Sequence, residues 1–279
     1  MLLNDELISY IRFLKNEQYW TNKPNFNQEN NTIEGLFDVE ALQHILTESR
    51  IPLNCFRMVD NGTMLHHSKF SRTIYVGEKP AAKVLDGKKV ADGLKNNFSL
   101  ILSSLEEFWP PLTKLCKELT KELGTRVSSF AVVSPPYATG FVPHIDSTEQ
   151  IVIQCSGEKK WNVYEIPSNF RKGQEVDPNQ LGLKTFDGTL SKNNFLYLPY
   201  GVPHNAFASE ELSIHVTLTI EPIRINEWVL KSVNEILKDK SLNQLTLPPK
   251  YNECSNSEKK IDDVYKYVAN KLLEKRNLL

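Results

Sequence analysis

Between residues 127 and 221 the chain breaks into five short β-rich runs: VSSFAVV, EQIVIQC, KKWNVYEI, NFLYLP and SIHVTLTI. Turn residues separate them at short intervals. Short strands with nothing helical between them pair with one another, so this half reads as a barrel or sandwich rather than as βαβ units. The full length of 279 residues suits one large domain or two small ones. Hydrophobic residues make up 40% of the chain and charged residues 24%, which is enough apolar content for a core and excludes a wholly disordered chain.

Helical patterns flank the β-rich half. Residues 4–15 place Leu7, Ile11 and Leu14 on one face, with Asn4 as a cap and Asp5 and Glu6 at the positive end. The Asn-rich segment 21–37 reads as loop, and Asp38 caps a short helix carrying Leu42, Ile45 and Leu46. CFRMVDNGTML reads as strand, Asn-Gly turn and strand. Residues 61–95 show no strong periodicity. A helix is expected over about 95–108, and a second begins at Pro110-Pro111, carries Leu112, Leu115, Cys116, Leu119 and Leu123, and ends before Gly124. Towards the C-terminus, 226–239 aligns Val229, Val233, Ile236 and Leu237. Ser255 and Glu258 form a capping box ahead of Ile261, Val264, Tyr265, Val268 and Leu272. The expected fold is mainly β with flanking helices. Its divisions are 1–125 as a mixed, largely helical region packed on the barrel, 126–225 as the β core, and 226–279 as C-terminal helices.

Charge and cysteine content narrow the function. Thirty-three lysines and arginines oppose 34 aspartates and glutamates, for a net charge of -1, so direct nucleic-acid binding is not expected. No run approaches the roughly 18 apolar residues of a membrane span. The start, MLLNDELISY, lacks the basic and apolar regions of a signal peptide. Cys55, Cys116, Cys155 and Cys254 are widely separated and fit free thiols, so a cytoplasmic protein with no membrane partner is expected.

Three metal-ligand types stand in the β-rich half: His144 and Asp146 in VPHIDS, and His204 in YLPYGVPHNAF. Residues two apart on a strand share a face, so His144 and Asp146 can aim into one cavity. Two imidazoles and a carboxylate on one face of an octahedron form the facial triad of non-haem Fe(II) oxygenases. That set leaves room for a chelating keto acid and dioxygen. An HxD pair with a distant histidine is common, so the bare triad leaves a metal site and ordinary surface or core histidines both open.

The surrounding segments, HIDSTEQIVIQCSGEKKW, NNFLYLPYGVPH and SIHVTLTI in that order, resemble the JmjC-type 2-oxoglutarate oxygenases. The similarity is to the ribosomal-oxygenase branch, which hydroxylates protein side chains, and it spans roughly residues 40–230. The resemblance implies a double-stranded β-helix, the jelly-roll or cupin barrel. It implies Fe(II) held by His144, Asp146 and His204, with 2-oxoglutarate and dioxygen as co-substrates. Lys159 matches the position whose cation pairs with the far carboxylate of 2-oxoglutarate, whereas the residues alone, SGEKK, read as a solvated hairpin tip. Lys160 is expected on the opposite face. Phe130 and Val132 stand where the branch carries Asn and Tyr, and Asn194 stands where it carries an acid. Ser134 is the nearest hydroxyl, and Ser213 and Thr217, on the strand with His215, are candidates to add hydroxyls to the pocket or simply to pack. The segment after 225 has room for a truncated dimerisation element through which a homodimer would form, but not for the winged-helix domain of larger members.

The function implied is hydroxylation of a side chain in a protein or peptide substrate. Two alternatives stand beside it: the same chemistry on a free amino acid or small metabolite, and a non-catalytic cupin-like binding protein. Lysine demethylation is disfavoured because no aromatic cage can be read. Tyr137, Phe141, Tyr197 and Tyr200 either line a substrate groove or pack the barrel, and Trp228 covers its mouth or anchors the tail. His66-His67 and His44 are expected at the surface.

Overall fold

The computed structural model describes residues 3–20, 23–27, 35–165, 177, 180–243, 245–246 and 255–276. They form two compact units that meet in sequence between Pro222 and Ile223.

The first unit is built on antiparallel strands. In chain order these are β1 (Asn25–Asn27), β2 (Phe56–Asp60), β3 (Thr63–Met64), β4 (Ser71–Val76), β5 (Lys79–Leu85), β6 (Ser99–Ser103) and β7 (Val127–Ser134). They continue with β8 (His144–Ile145), β9 (Glu149–Ser156), β10 (Lys159–Tyr164), β11 (Lys184–Leu190), β12 (Phe195–Leu198), β13 (Pro203–Ala208) and β14 (Ser213–Ile220). Eight of them make one sheet in the order β1-β12-β9-β14-β7-β6-β2-β3. Four make a second, β11-β10-β13-β8, and β4 and β5 form a separate hairpin.

Alternation along the central strands explains how the larger sheet is covered. On β14, Ile214, Val216, Leu218 and Ile220 share one face, and on β9 so do Ile151, Ile153 and Cys155. That face packs on Leu7, Ile11 and Leu14 of α1 (Leu3–Asn16), Leu42 and Ile45 of α2 (Val39–Glu48), and Leu112, Leu115 and Leu119 of α4 (Pro110–Leu123). Each such fully buried aliphatic side chain contributes roughly 1.5–3 kcal/mol. The opposite face meets the smaller sheet around Val152, Trp161, Val163, Leu190, Leu196 and Leu198. The unit is therefore a double-stranded β-helix with helices on one side.

Local signals set several boundaries. Asp38 Oδ1 accepts the Ala41 N–H at 2.9 Å and starts α2. Gly124, at φ +67°, ends α4 in the left-handed conformation that glycine adopts without strain. Asn61 and Gly62 both take positive φ, as the tight turn between β2 and β3 requires.

Three expectations are corrected. The helix placed over about 95–108 is not there. α3 (Gly87–Lys95), capped by Asp86, ends at Lys95, and SLILS then forms β6 between β2 and β7. A short apolar run buried on both faces has no period that separates strand from helix, and pairing with β2 and β7 settles the matter. Within the expected 21–37 loop, Asn25–Asn27 forms an edge strand on β12, while 21–22 and 28–34 lie outside the described residues. α1 begins at Leu3, so the Asn4 backbone falls within the helix, and its side chain lies outside the described residues.

The second unit holds α5 (Ile225–Ile236), α6 (Lys240–Asn243) and α7 (Ser255–Arg276). The side chain of Ser255, half of the expected capping box, lies outside the described residues. Leu237, Leu242, Leu245, Ile261 and Val264 line a cleft within this unit. Among the described residues no helix is long and apolar enough to cross a membrane. Cys55, Cys116 and Cys155 are free thiols, and Cys254 is outside the described residues.

Candidate active site

The short strand β8 pairs with β13 so that His144 lies directly opposite His204. Directly opposed residues on antiparallel strands have neighbouring side chains, and the two imidazole centroids are 4.5 Å apart. Asp146, two residues after His144, brings Oδ2 to 3.6 Å from His144 Nε2 and 3.5 Å from His204 Nε2. One ligand atom from each of the three residues falls within 4.8 Å of the others.

Hydrogen bonds behind the triad orient it. His144 Nδ1 bonds the Val142 carbonyl at 2.9 Å, and His204 Nδ1 bonds the Val202 carbonyl at 3.0 Å. A carbonyl only accepts, so each Nδ1 carries a proton and each Nε2 faces the centre. Gln150 Nε2 donates to Asp146 Oδ2. Burial pushes the His204 imidazole down to about 4, with His144 adding to the effect, so His204 stays neutral at physiological pH. Burial also acts to raise the Asp146 carboxyl, but bonding to His144, attraction to both histidines and the Gln150 amide together hold it well below the usual carboxylate range. The donor set is thus two imidazoles and a carboxylate, converging on one point, and it fits a divalent metal.

The same cavity also reaches Lys159, Trp161, His215 and Thr217. Lys159 is 1% exposed. Its ammonium donates to Ser134 Oγ at 2.9 Å and lies 3.3 Å from His215 Nδ1. Among the described residues it has no carboxylate partner, and burial pushes it down to about 7. A buried cation with polar neighbours and no counter-ion suits an anion arriving from outside. Lys160, one residue on, turns outward to Asp187 at 3.2 Å.

The remaining sequence candidates divide. Ser134 meets the Lys159 ammonium, and Thr217 lines the cavity. Ser213 is fully buried and bonds Gln154 Nε2 at 2.8 Å, outside the cavity lining. Phe130 and Val132 do line the cavity, so the substitutions noted in the sequence fall on its wall. Phe141 joins them, its ring 5.0 Å from that of His144. Tyr197 is core instead, stacked on Trp20 at 5.3 Å with its hydroxyl 2.5 Å from Glu149 Oε2. Tyr137 is exposed, and the Tyr200 backbone N–H bonds Glu149. Asn194 caps the turn before β12 by accepting the Ser191 N–H. His44, His66 and His67 are exposed, and Trp228 is half-buried on α5.

Two cavity residues, Gln150 and His215, escape the sequence reading. Each was detectable by parity. Gln150 shares the inward face of β9 with Val152 and Gln154, and His215 shares that of β14 with Ser213 and Thr217.

Comparison with known proteins agrees with this geometry. Residues 105–228 match the JmjC domain family. The bifunctional lysine-specific demethylase and histidyl-hydroxylase NO66 of Drosophila melanogaster is 26% identical over 247 residues, covering 78% of this chain and 38% of that protein. Its Drosophila yakuba counterpart is 31% identical over 139 residues, covering 48% of this chain and 20% of that one. The chain thus spans well under half the length of these curated relatives. Among solved structures, Escherichia coli ycfD aligns with a TM-score of 0.58 at 17% identity, over 94% of this chain and 66% of that chain. The ribosomal oxygenase YcfD in complex with cobalt and 2-oxoglutarate aligns at 0.56 and 18%, with the same coverage. At such identity these structures establish a shared fold. Residues 105–228 are accordingly similar to the JmjC domain, in a chain that shares its fold with the solved YcfD structures.

Proposed function

We propose that this chain is an Fe(II)- and 2-oxoglutarate-dependent dioxygenase that hydroxylates a side chain of a protein or peptide. One observation carries the reading: a His144–Asp146–His204 donor set and a buried, carboxylate-free Lys159 open into the same cavity. When bound, the iron and keto acid supply the oxidising power that no amino-acid side chain possesses. The protein's part is to hold and orient. His144, Asp146 and His204 hold the metal from one side, with Gln150 and the Val142 and Val202 carbonyls aligning them. Lys159 receives the far carboxylate with Ser134 beside it, and Thr217 adds a hydroxyl on the same wall. Ser213 supports this end of the barrel through Gln154. Phe130, Val132, Phe141, Trp161 and Ala206 make the remaining wall apolar and keep water away from the reacting centre.

Among the described residues, Asp146 and Lys159 are the ionic side chains on the cavity wall, and each has its role in this reading. The wall therefore suits an uncharged substrate side chain, in keeping with the histidyl-hydroxylase activity named for the Drosophila relatives. The functional divisions proposed are 1–125 as a supporting region, 126–225 as the catalytic core and 226–279 as a dimerisation element. Exposed Leu230, Tyr265 and Leu273 in the last of these support a homodimer contact. The free thiols suit a reducing compartment such as the cytoplasm.

The test is anaerobic addition of Fe(II) and 2-oxoglutarate, read as the metal-to-keto-acid charge-transfer band. The band should form with the native chain, vanish in His144→Ala and weaken in Lys159→Ala, and peptides should then yield succinate and a mass gain of one oxygen. Absence of the band at saturating iron would move the reading to a binding protein.

A further inference from the structure

The mechanism above leaves one buried titratable side chain on the cavity wall without a role. His215 is 4% exposed and sits mid-strand on β14, opposite Val132 on one side and Gln154 on the other, so its backbone is fixed from both flanks. Trp161 meets its ring edge-on, at 5.3 Å and 67°. A buried imidazole costs free energy unless its nitrogens find partners. The partner provided is the Lys159 ammonium, 3.3 Å from Nδ1.

An ammonium has three donors and no acceptor. Ser134 Oγ takes one at 2.9 Å, and Ser134 is itself held by a 3.3 Å bond from Ser99 Oγ. His215 Nδ1 takes a second. One donor remains, on a side chain that lines the cavity. A lysine stem has four rotatable bonds, and an ammonium left to one serine could swing. Two acceptors from different strands, β7 and β14, remove that freedom. Burial and then the neighbouring Lys159 charge push the His215 imidazole well below its ordinary value, so it remains a neutral acceptor beside the cation.

We infer that His215 is a positioning residue for the co-substrate: it holds the Lys159 ammonium so that its free donor meets the far carboxylate of 2-oxoglutarate. This rests on the reading of the cavity as a 2-oxoglutarate site and adds a residue that the metal triad and the cation do not by themselves require.

The experiment is a binding titration of the full chain with Fe(II) under anaerobic conditions, followed by the charge-transfer band. Two keto acids are compared: 2-oxoglutarate, and 2-oxopentanoate, which has the same five-carbon chain without the far carboxylate. His215→Leu removes the acceptor, whereas His215→Asn places an amide oxygen close to where Nδ1 stood. In His215→Leu, the dissociation constant for 2-oxoglutarate should rise by about ten- to a hundredfold, the size of one hydrogen bond to a charged group. That for 2-oxopentanoate and the affinity for Fe(II) should stay within about twofold, and His215→Asn should recover most of the loss. If leucine is not accommodated in the fold, His215→Ala carries the same comparison. Unchanged 2-oxoglutarate binding in His215→Leu, or equal weakening of both keto acids, would overturn the proposal. No band with the unaltered chain would instead overturn the oxygenase reading on which it rests.

Discussion

The chemistry of this cavity is concentrated in a few buried polar side chains, and each has a separable consequence. Gln150 touches no ligand position directly but bonds the carboxylate that would. Groups that orient metal ligands typically govern affinity by 10–100-fold. Gln150→Leu should therefore weaken Fe(II) binding by about that factor while leaving the thermal midpoint nearly unchanged, which metal titration beside calorimetry would show. Lys159 yields a pH signature. Burial lowers it to about 7, so without ligand it is largely uncharged above that pH. A bound carboxylate favours the charged form, so binding takes up a proton there. Affinity for 2-oxoglutarate should be flat below pH 7 and fall as pH rises above it. Titration calorimetry at pH 8 in two buffers of different ionisation enthalpy measures the uptake, and a zero proton count would show that Lys159 is not the carboxylate's partner. Little of this environment was legible locally. His144, Asp146 and His204 could be named from residue type and spacing, but SGEKK looks like a solvated turn because nothing in it reveals that Ser134 and His215 arrive from other strands.

Secondary structure was legible where a segment carries its own signal. The α4 helix has proline at its start, a leucine face and a glycine at its end, and the Asn61-Gly62 turn has the two residues that tolerate positive φ. Capping at Asp38 belongs to the same class, and Asp38→Ala should cost about 1 kcal/mol in urea denaturation. β6 does not. Its central residue Ile101 is fully buried with Val59 and Val132, contacts supplied by the neighbouring strands. Ile101→Ala should destabilise by roughly 2–5 kcal/mol, several times the cost of losing the cap, because it opens a cavity that the paired strands cannot collapse into. A loss below about 1 kcal/mol in the same urea series would contradict the burial assigned to β6.

For the whole molecule, the two units pose different questions. The first has its apolar faces covered, by helices on one side and by the smaller sheet on the other. The second leaves Ile225 at 82% and Leu230 at 62% exposed on α5. If it is a dimerisation element, sedimentation should find a dimer at micromolar concentration that Leu230→Glu converts to monomer. A monomer across that range for the unaltered chain would rule out this role. Taken by itself, the sequence determined the β-rich runs after residue 127, the helices that carry their own caps and apolar faces, and which three residues have metal-ligand chemistry. These properties follow from residue type and from periods of two or about 3.6, all contained within a few neighbouring positions. Only the tertiary structure decided that His144 and His204 face each other across one strand pair, that SLILS is a strand, and that Lys159 is buried beside His215. Those outcomes depend on pairing between segments distant in the chain, and the free energy of burial is realised only when both partners are in place.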